Sequence, residues 1–162
     1  MADRSVSTVV LDAGGQRVLL YLREDFHLWS LPGGRIEPEE AWVEAAVRET
    51  CEETGYQIVV DRLVGEYRRP QMPGGDTKYV CVGRVIGGSP IERGPETLAV
   101  SWFHVNDLPP SVSPPMREYI RDALSNYPAP LHKTQRMPHA YALTMRFLLR
   151  LRDARNWLRG RA

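Results

Sequence analysis

The sequence predicts an α/β fold, a mixed β-sheet covered by helices on both sides. Three observations predict it. Runs rich in β-branched and aromatic residues alternate with stretches of helical periodicity, in the order strands, helix, strands, helix. Pro- and Gly-rich segments separate them at short intervals. The length, 162 residues, fits one domain, and a 43% hydrophobic and 25% charged composition is that of an ordinary globular chain.

The elements follow in order. Residues 5–12 (SVSTVVLD) and 17–23 (RVLLYLR) read as strands of a hairpin around Ala13-Gly14-Gly15-Gln16. The segment DFHLWSLPGGRIEPEE is dense in proline and glycine and reads as a loop. A helix is expected from about Glu39 to Thr54, with Gly55 as its natural stop. Residues 56–67 and 78–86 read as strands joined by the turn-rich RRPQMPGGDT, and a shorter strand at 98–105 follows GGSPIERGPE. After Pro114-Pro115, MREYIRDAL is a short helix with proline in its first turn. NYPAP reads as a stiff linker, and HAYALTMRFLLRLRDARNWLRG as a final basic helix. These signals divide the chain into a domain over residues 1–130 and a basic helical extension over 131–162. Internal repeats and low-complexity tracts are absent from the sequence.

The net charge of +1 hides an asymmetry. Residues 131–162 carry eight basic side chains against the single acid Asp153, a charge of +7 that leaves −6 on residues 1–130. Such a tail suits either packing on the acidic body or a dimer partner, or contact with nucleic acid or an anionic membrane surface. Cys51 and Cys81 form neither a metal spacing nor a disulfide framework, and read as small buried side chains in a reducing compartment. The start lacks a signal-peptide pattern and no apolar run is long enough to span a bilayer, which makes a cytoplasmic location the default expectation.

The most informative segment is GGRIEPEEAWVEAAVRETCEETGY, residues 33–56. On a helix, Trp42, Ala45, Ala46, Glu49, Glu52 and Glu53 share one side, because they are three or four residues apart. The stripe begins apolar and ends in three carboxylates. A solvated acidic helix end is the ordinary explanation, but three features oppose it. The acids continue the core-facing stripe, they repel one another at helical neighbour spacing, and they occupy the last turns, where the helix dipole disfavours anions. A bound divalent cation reverses all three penalties. Mg²⁺ and Mn²⁺ take oxygen ligands, and Mg²⁺ is characteristically shared between carboxylates and substrate phosphates. Leu31-Pro32-Gly33-Gly34 precedes the helix, where glycine allows close backbone approach to an ion or a phosphate. Arg48 lies one turn before Glu52 and can orient it or contact phosphate.

These residues resemble the Nudix box: Gly34, Glu40, Arg48-Glu49, Glu52-Glu53 and Gly55 fill its fixed polar and glycine positions. Thr50 and Tyr56 depart from it at packing positions where the pattern prefers an aliphatic residue. The flanking Trp29-Ser30-Leu31-Pro32, Trp102-Phe103 and Asp107-Leu108-Pro109 are also similar to common Nudix features, so the resemblance covers roughly residues 5–125. It implies an α/β/α Nudix sandwich and metal-dependent hydrolysis of a nucleoside diphosphate linked to another group.

By that resemblance Glu49, Glu52 and Glu53 are the expected metal ligands, with the carbonyl of Gly33 or Gly34, and Arg48 belongs to the catalytic set. Glu52 or Glu53 can double as general base. A later loop offers Glu96 and, second, Glu92 for that role, set against the plain reading of solvated loop acids. Glu40 is expected to brace the loop or pair with Arg48. For substrate binding the candidates are Arg68 and Arg69 for phosphate, Trp29, Tyr67 and His27 for a base, and Gly34, with Lys78 and Arg23 open. The expected substrate is a nucleoside triphosphate, a nucleoside diphosphate sugar or a dinucleoside polyphosphate, and a homodimer is compatible with the tail. The rival expectations are a nucleotide-binding regulatory module without turnover and an RNA 5′-end pyrophosphohydrolase.

Overall fold

The structure is a computed structural model, and it describes residues 4–70, 77–125, 127–136, 143, 144 and 147. Two sheets form its centre. The first is four-stranded and mixed, in the order β1 (Arg4–Val10), β5 (Thr77–Gly88), β4 (Tyr56–Arg68) and β7 (Leu131–Thr134). β1 runs parallel to β5, β5 antiparallel to β4, and β4 parallel to β7. The second sheet is antiparallel, with β3 (Trp29–Ser30), β2 (Arg17–Arg23) and β6 (Thr97–His104) in the order β3-β2-β6.

The expected hairpin of β1 with β2 is corrected. The two strands are joined by a turn in which the Asp12 carboxylate accepts from the amides of Gln16 and Arg17. Beyond it only the isolated bridge Leu11–Val18 links them, and they diverge into different sheets. The free edge of β1 is covered by the glycine-rich segment instead: Val6 and Thr8 donate to the carbonyls of Gly34 and Pro32, at 2.9 and 2.8 Å. The segment read as loop also contributes the two residues of β3.

Helix α1 (Trp42–Thr54) packs on one face of the mixed sheet and α2 (Pro114–Leu124) on the other. Strand alternation decides which side chains each helix meets. Val6 and Cys81 join Ala45 and Ala46 of α1, whereas Val9, Val80 and Val82 join Tyr119, Ile120 and Ala123 of α2. Each fully buried aliphatic side chain of this kind contributes roughly 1.5–3 kcal/mol. The α/β/α layering agrees with the fold class read from the sequence.

Helix α1 starts where Glu44 accepts from the amide of Ala41, one half of a capping box, and ends at Gly55 in the left-handed conformation (φ 79°), as expected. Thr50, where an aliphatic residue is preferred, is fully buried and donates its hydroxyl to Ala46 O at 2.7 Å, so the polar atom is satisfied inside the helix. Tyr56 packs edge-on to Trp102. Cys81 is buried as expected, but Cys51 is exposed. Residues 131–134, placed by sequence in the extension, pair with β4 as an edge strand. The final basic helix lies outside the described residues except for Leu143, Thr144 and Phe147, which are helical, with Leu143 and Phe147 exposed.

Candidate active site

The second half of α1 carries Arg48, Glu49, Glu52 and Glu53, and the first of these organises its neighbours. Arg48 holds Glu40 through two hydrogen bonds, Nε to Oε1 at 2.9 Å and Nη2 to Oε2 at 3.0 Å. Its Nη1 donates to Glu49 at 2.9 Å and to Glu52 at 3.2 Å, and its Nη2 also donates to the carbonyl of Arg35. Glu40 precedes the helix, so this pairing ties the loop to the helix face. The pairing keeps the Glu40 carboxyl below its ordinary value. Glu52 departs from the core-facing stripe; its side chain is 60% exposed, while Glu49 is half-buried and Glu53 buried.

Glu53 has the most confined environment. Its carboxylate accepts from the hydroxyl of Tyr21 and, at 2.7 Å, from the amide of Gly33. Thr97 donates to its backbone carbonyl at 2.8 Å. Tyr21 in turn accepts from Arg23 Nη1 at 3.0 Å, and Arg23 is gripped by both oxygens of Asp25. Burial pushes the Glu53 carboxyl up to about 8, against the hydrogen bonds of Tyr21 and Gly33, and the charge of Glu49 adds to the rise. Burial also raises Glu49, opposed by Arg48 and reinforced by the charges of Glu52 and Glu96. Glu52, Glu53 and Glu96 therefore each lie within electrostatic reach of Glu49.

Glycine is required at two adjacent positions here. At Gly33 (φ 146°) a Cβ would lie 2.2 Å from Val6 O. At Gly34 it would lie 2.4–2.6 Å from the carboxylate atoms of Glu49. The missing side chain of Gly34 is thus the space that the Glu49 carboxylate occupies.

Among the described residues, no group of three acidic or other ligating side chains is drawn together around a common point. Glu49 and Glu52 meet Arg48, and Glu53 meets Tyr21 and Gly33. The donor chemistry nevertheless fits a hard divalent ion: carboxylate oxygens on one helix face, no sulfur or imidazole, and mutual repulsion that a cation relieves. The Gly34 carbonyl is taken by the amide of Val6. That leaves the Gly33 carbonyl as the backbone candidate.

The remaining candidates separate clearly. Glu96, at the mouth of β6, is brought close enough for its charge to act on Glu49, and its carbonyl accepts from the amide of Glu24. Glu92 is exposed on the preceding loop. Arg68 is an exposed strand end, whereas Arg69 turns inward and donates to Ser5 Oγ at 3.0 Å. Lys78 reaches across β1 to Val6 O and Ser7 Oγ. Trp29 is half-buried, edge-on to Phe103 at 4.7 Å between centroids, and His27 is exposed with φ 52°.

Tyr67 is a correction. It is fully buried, packs edge-on to Tyr119 and donates to Asp122 at 2.7 Å, so it belongs to the core beneath α2 and offers no face to a base. Sequence reasoning passed over Tyr21, Thr97, Ser5 and Ser7. A tyrosine inside an apolar strand run carries no signal that its hydroxyl ends on a carboxylate 32 residues away.

A family model described as NUDIX domain matches residues 1–123. A Bacillus subtilis protein named "Putative 8-oxo-dGTP diphosphatase" is 39% identical over 122 residues, which is 75% of this chain and 80% of that protein. The protein of Methanocaldococcus jannaschii named "ADP-ribose pyrophosphatase" is 39% identical over 83 residues, 50% of this chain and 48% of its own length. The crystal structure of an ADP-ribose pyrophosphatase from Streptococcus suis superposes with a TM-score of 0.65 at 23% identity, over 83% of this chain and 100% of that one, and shows the same fold.

Proposed function

This chain belongs to the Nudix family and is a Nudix hydrolase, and from that premise we propose that it cleaves a phosphoric anhydride within a nucleotide, using a divalent ion held by Glu49, Glu52 and Glu53. The single observation that supports this most strongly is the placement of Glu53. It is a buried carboxylate to which, among the described residues, no cationic side chain is bonded, held between Tyr21 and the amide of Gly33 beside Glu49. A buried acid so placed is costly unless a cation joins it.

Mg²⁺ or Mn²⁺ bound there, with the Gly33 carbonyl as a further ligand, supplies neutralisation of the diphosphate charge and acidifies water. The protein's own groups do the positioning. Tyr21 and Gly33 fix the direction of Glu53, Arg48 spaces Glu49 from Glu52 and ties both to Glu40, and Gly34 leaves room for Glu49. Glu96, exposed at the rim and coupled to Glu49, is the group assigned to accept the proton of the attacking water, with Glu52 as the helix's own alternative. Trp29 and Arg68 are the residues assigned to contact the base and a phosphate of the substrate.

Among nucleotides, a nucleoside triphosphate is favoured over a diphosphate sugar, because the relative matched over 80% of its length is named for 8-oxo-dGTP, whereas the one named for ADP-ribose is matched over 48%. The test is product release by the purified chain with Mg²⁺, then Mn²⁺, over nucleoside triphosphates, diphosphate sugars and dinucleoside polyphosphates. Nucleoside monophosphate formed fastest from a triphosphate supports the reading. Tight nucleotide binding without turnover under either metal overturns it in favour of a regulatory binding module.

A further inference from the structure

Arg69 and Lys78 are two cations drawn into one polar patch on the α2 face of the mixed sheet, with hydroxyls around them in place of acids. The register explains their meeting. Lys78 of β5 lies opposite Ser5 on β1 and Tyr67 on β4, and Arg69 directly follows the end of β4. Lys78 Nζ donates to Val6 O at 3.1 Å and Ser7 Oγ at 3.0 Å, so in its charged form one of its three N–H bonds is left over. Arg69 donates to Ser5 Oγ and interacts with the Tyr119 hydroxyl, and among the described residues its Nε is buried without an acceptor. Among the described residues no carboxylate pairs with either side chain.

A buried guanidinium with an orphaned N–H is an expensive arrangement, and a second cation beside it makes it more so. Burial and the charge of Arg69 hold the Lys78 ammonium well below its ordinary value, while Glu53 and Glu49 act in the opposite sense. The patch is thus in electrostatic contact with the candidate catalytic acids. What would satisfy it is an anion with several acceptor oxygens, tetrahedral enough to meet Nε of Arg69 and the spare Nζ proton together.

We propose that Arg69 and Lys78, with Ser5 and Ser7, form an anion subsite that takes a phosphoryl group of the substrate beside the candidate catalytic acids. It rests on the reading of the chain as a nucleotide hydrolase, and it makes the number of phosphates a determinant of affinity. Substrates with a further phosphoryl group bind through this subsite, and those whose diphosphate ends in a neutral sugar do not fill it.

The test uses the full chain, ¹⁵N-labelled and kept in EDTA, titrated with inorganic pyrophosphate. The Arg69 Nε–H resonance, assigned through its own backbone, is expected to shift saturably. Arg69→Lys, which keeps the charge and loses the Nε donor, is expected to weaken pyrophosphate binding about tenfold or more, and Lys78→Met likewise. A resonance that stays in place at millimolar pyrophosphate overturns the subsite, and this requires no variant to fold. The two readings fail separately: nucleotide turnover with an unmoved Arg69 signal removes the subsite alone, and a moved signal without turnover removes the hydrolase alone.

Discussion

Arg48 and Glu40 are joined by a two-pronged ion pair, Nε to Oε1 at 2.9 Å and Nη2 to Oε2 at 3.0 Å, that clamps the loop before α1 to the helix that carries the acids. The same guanidinium spaces Glu49 and Glu52, so a change at Glu40 propagates to both. Glu40→Gln is expected to lower kcat by about tenfold to a hundredfold through mispositioning. Its stability cost is expected to be about 1 kcal/mol, as for a partly buried surface pair whose neutral replacement keeps an acceptor for Arg48. Steady-state kinetics beside thermal melts separate the two, and an unchanged kcat contradicts the clamp.

Glu53 makes stability and metal binding depend on pH in opposite senses. Its folded-state value of about 8 lies above the ordinary 4.5. It therefore contributes stability that is fully present below pH 4.5 and is lost as pH rises through 8. Melts in EDTA are expected to fall between mildly acidic and mildly alkaline pH, and Glu53→Gln to flatten that decline. A ligating Glu53 must be ionised, so Mg²⁺ affinity is expected to rise over the same range with proton release. Calorimetry in buffers of different ionisation enthalpy reads that proton, and its absence refutes Glu53 as a ligand.

The two adjacent glycines separate folding from function. Gly34→Ala places a methyl group against the movable end of Glu49, so activity is expected to fall at least about a hundredfold with a small change in Tm. Gly33→Ala meets the backbone of Val6 and Ser7, which cannot yield as a side chain does, and is expected to cost about 2–4 kcal/mol. Reversal of that order would show that Glu49 is placed by something other than Gly34.

Tyr67→Phe removes a buried hydroxyl from Asp122, which retains Lys133 as a partner. A loss of about 1–2 kcal/mol in denaturant unfolding is expected. KM should be unchanged, and a raised KM would return Tyr67 to the substrate site.

Much of this was legible in the sequence. The helix, expected from about Glu39 and beginning at Trp42, its stop at Gly55, the acids on it and the strands at 56, 78 and 98 follow from periodicity, from punctuation and from the box. Strand partners were not legible, since nothing in SVSTVVLD tells a parallel neighbour far along the chain from a hairpin neighbour. The burial of Tyr67 was not legible, because β4 changes register between Val60 and Arg62 and again between Leu63 and Gly65, which breaks any two-residue count of faces along it. β7 is four residues after a proline-rich stretch, too short for periodicity to declare. Glu52 follows the helical stripe by spacing but lies far enough round to reach solvent. The environment of Glu53 depends on Tyr21 and Gly33, which only the tertiary fold brings to it.

The most direct test of the central claim is the rate of nucleoside triphosphate hydrolysis against Mg²⁺ concentration for the unaltered chain and for Glu53→Gln, each with its melting curve. Turnover that requires the metal and falls at least about a thousandfold in the folded variant is the result expected of a carboxylate that holds the ion. Metal-dependent turnover that survives Glu53→Gln would contradict the assignment of the α1 acids as the catalytic centre.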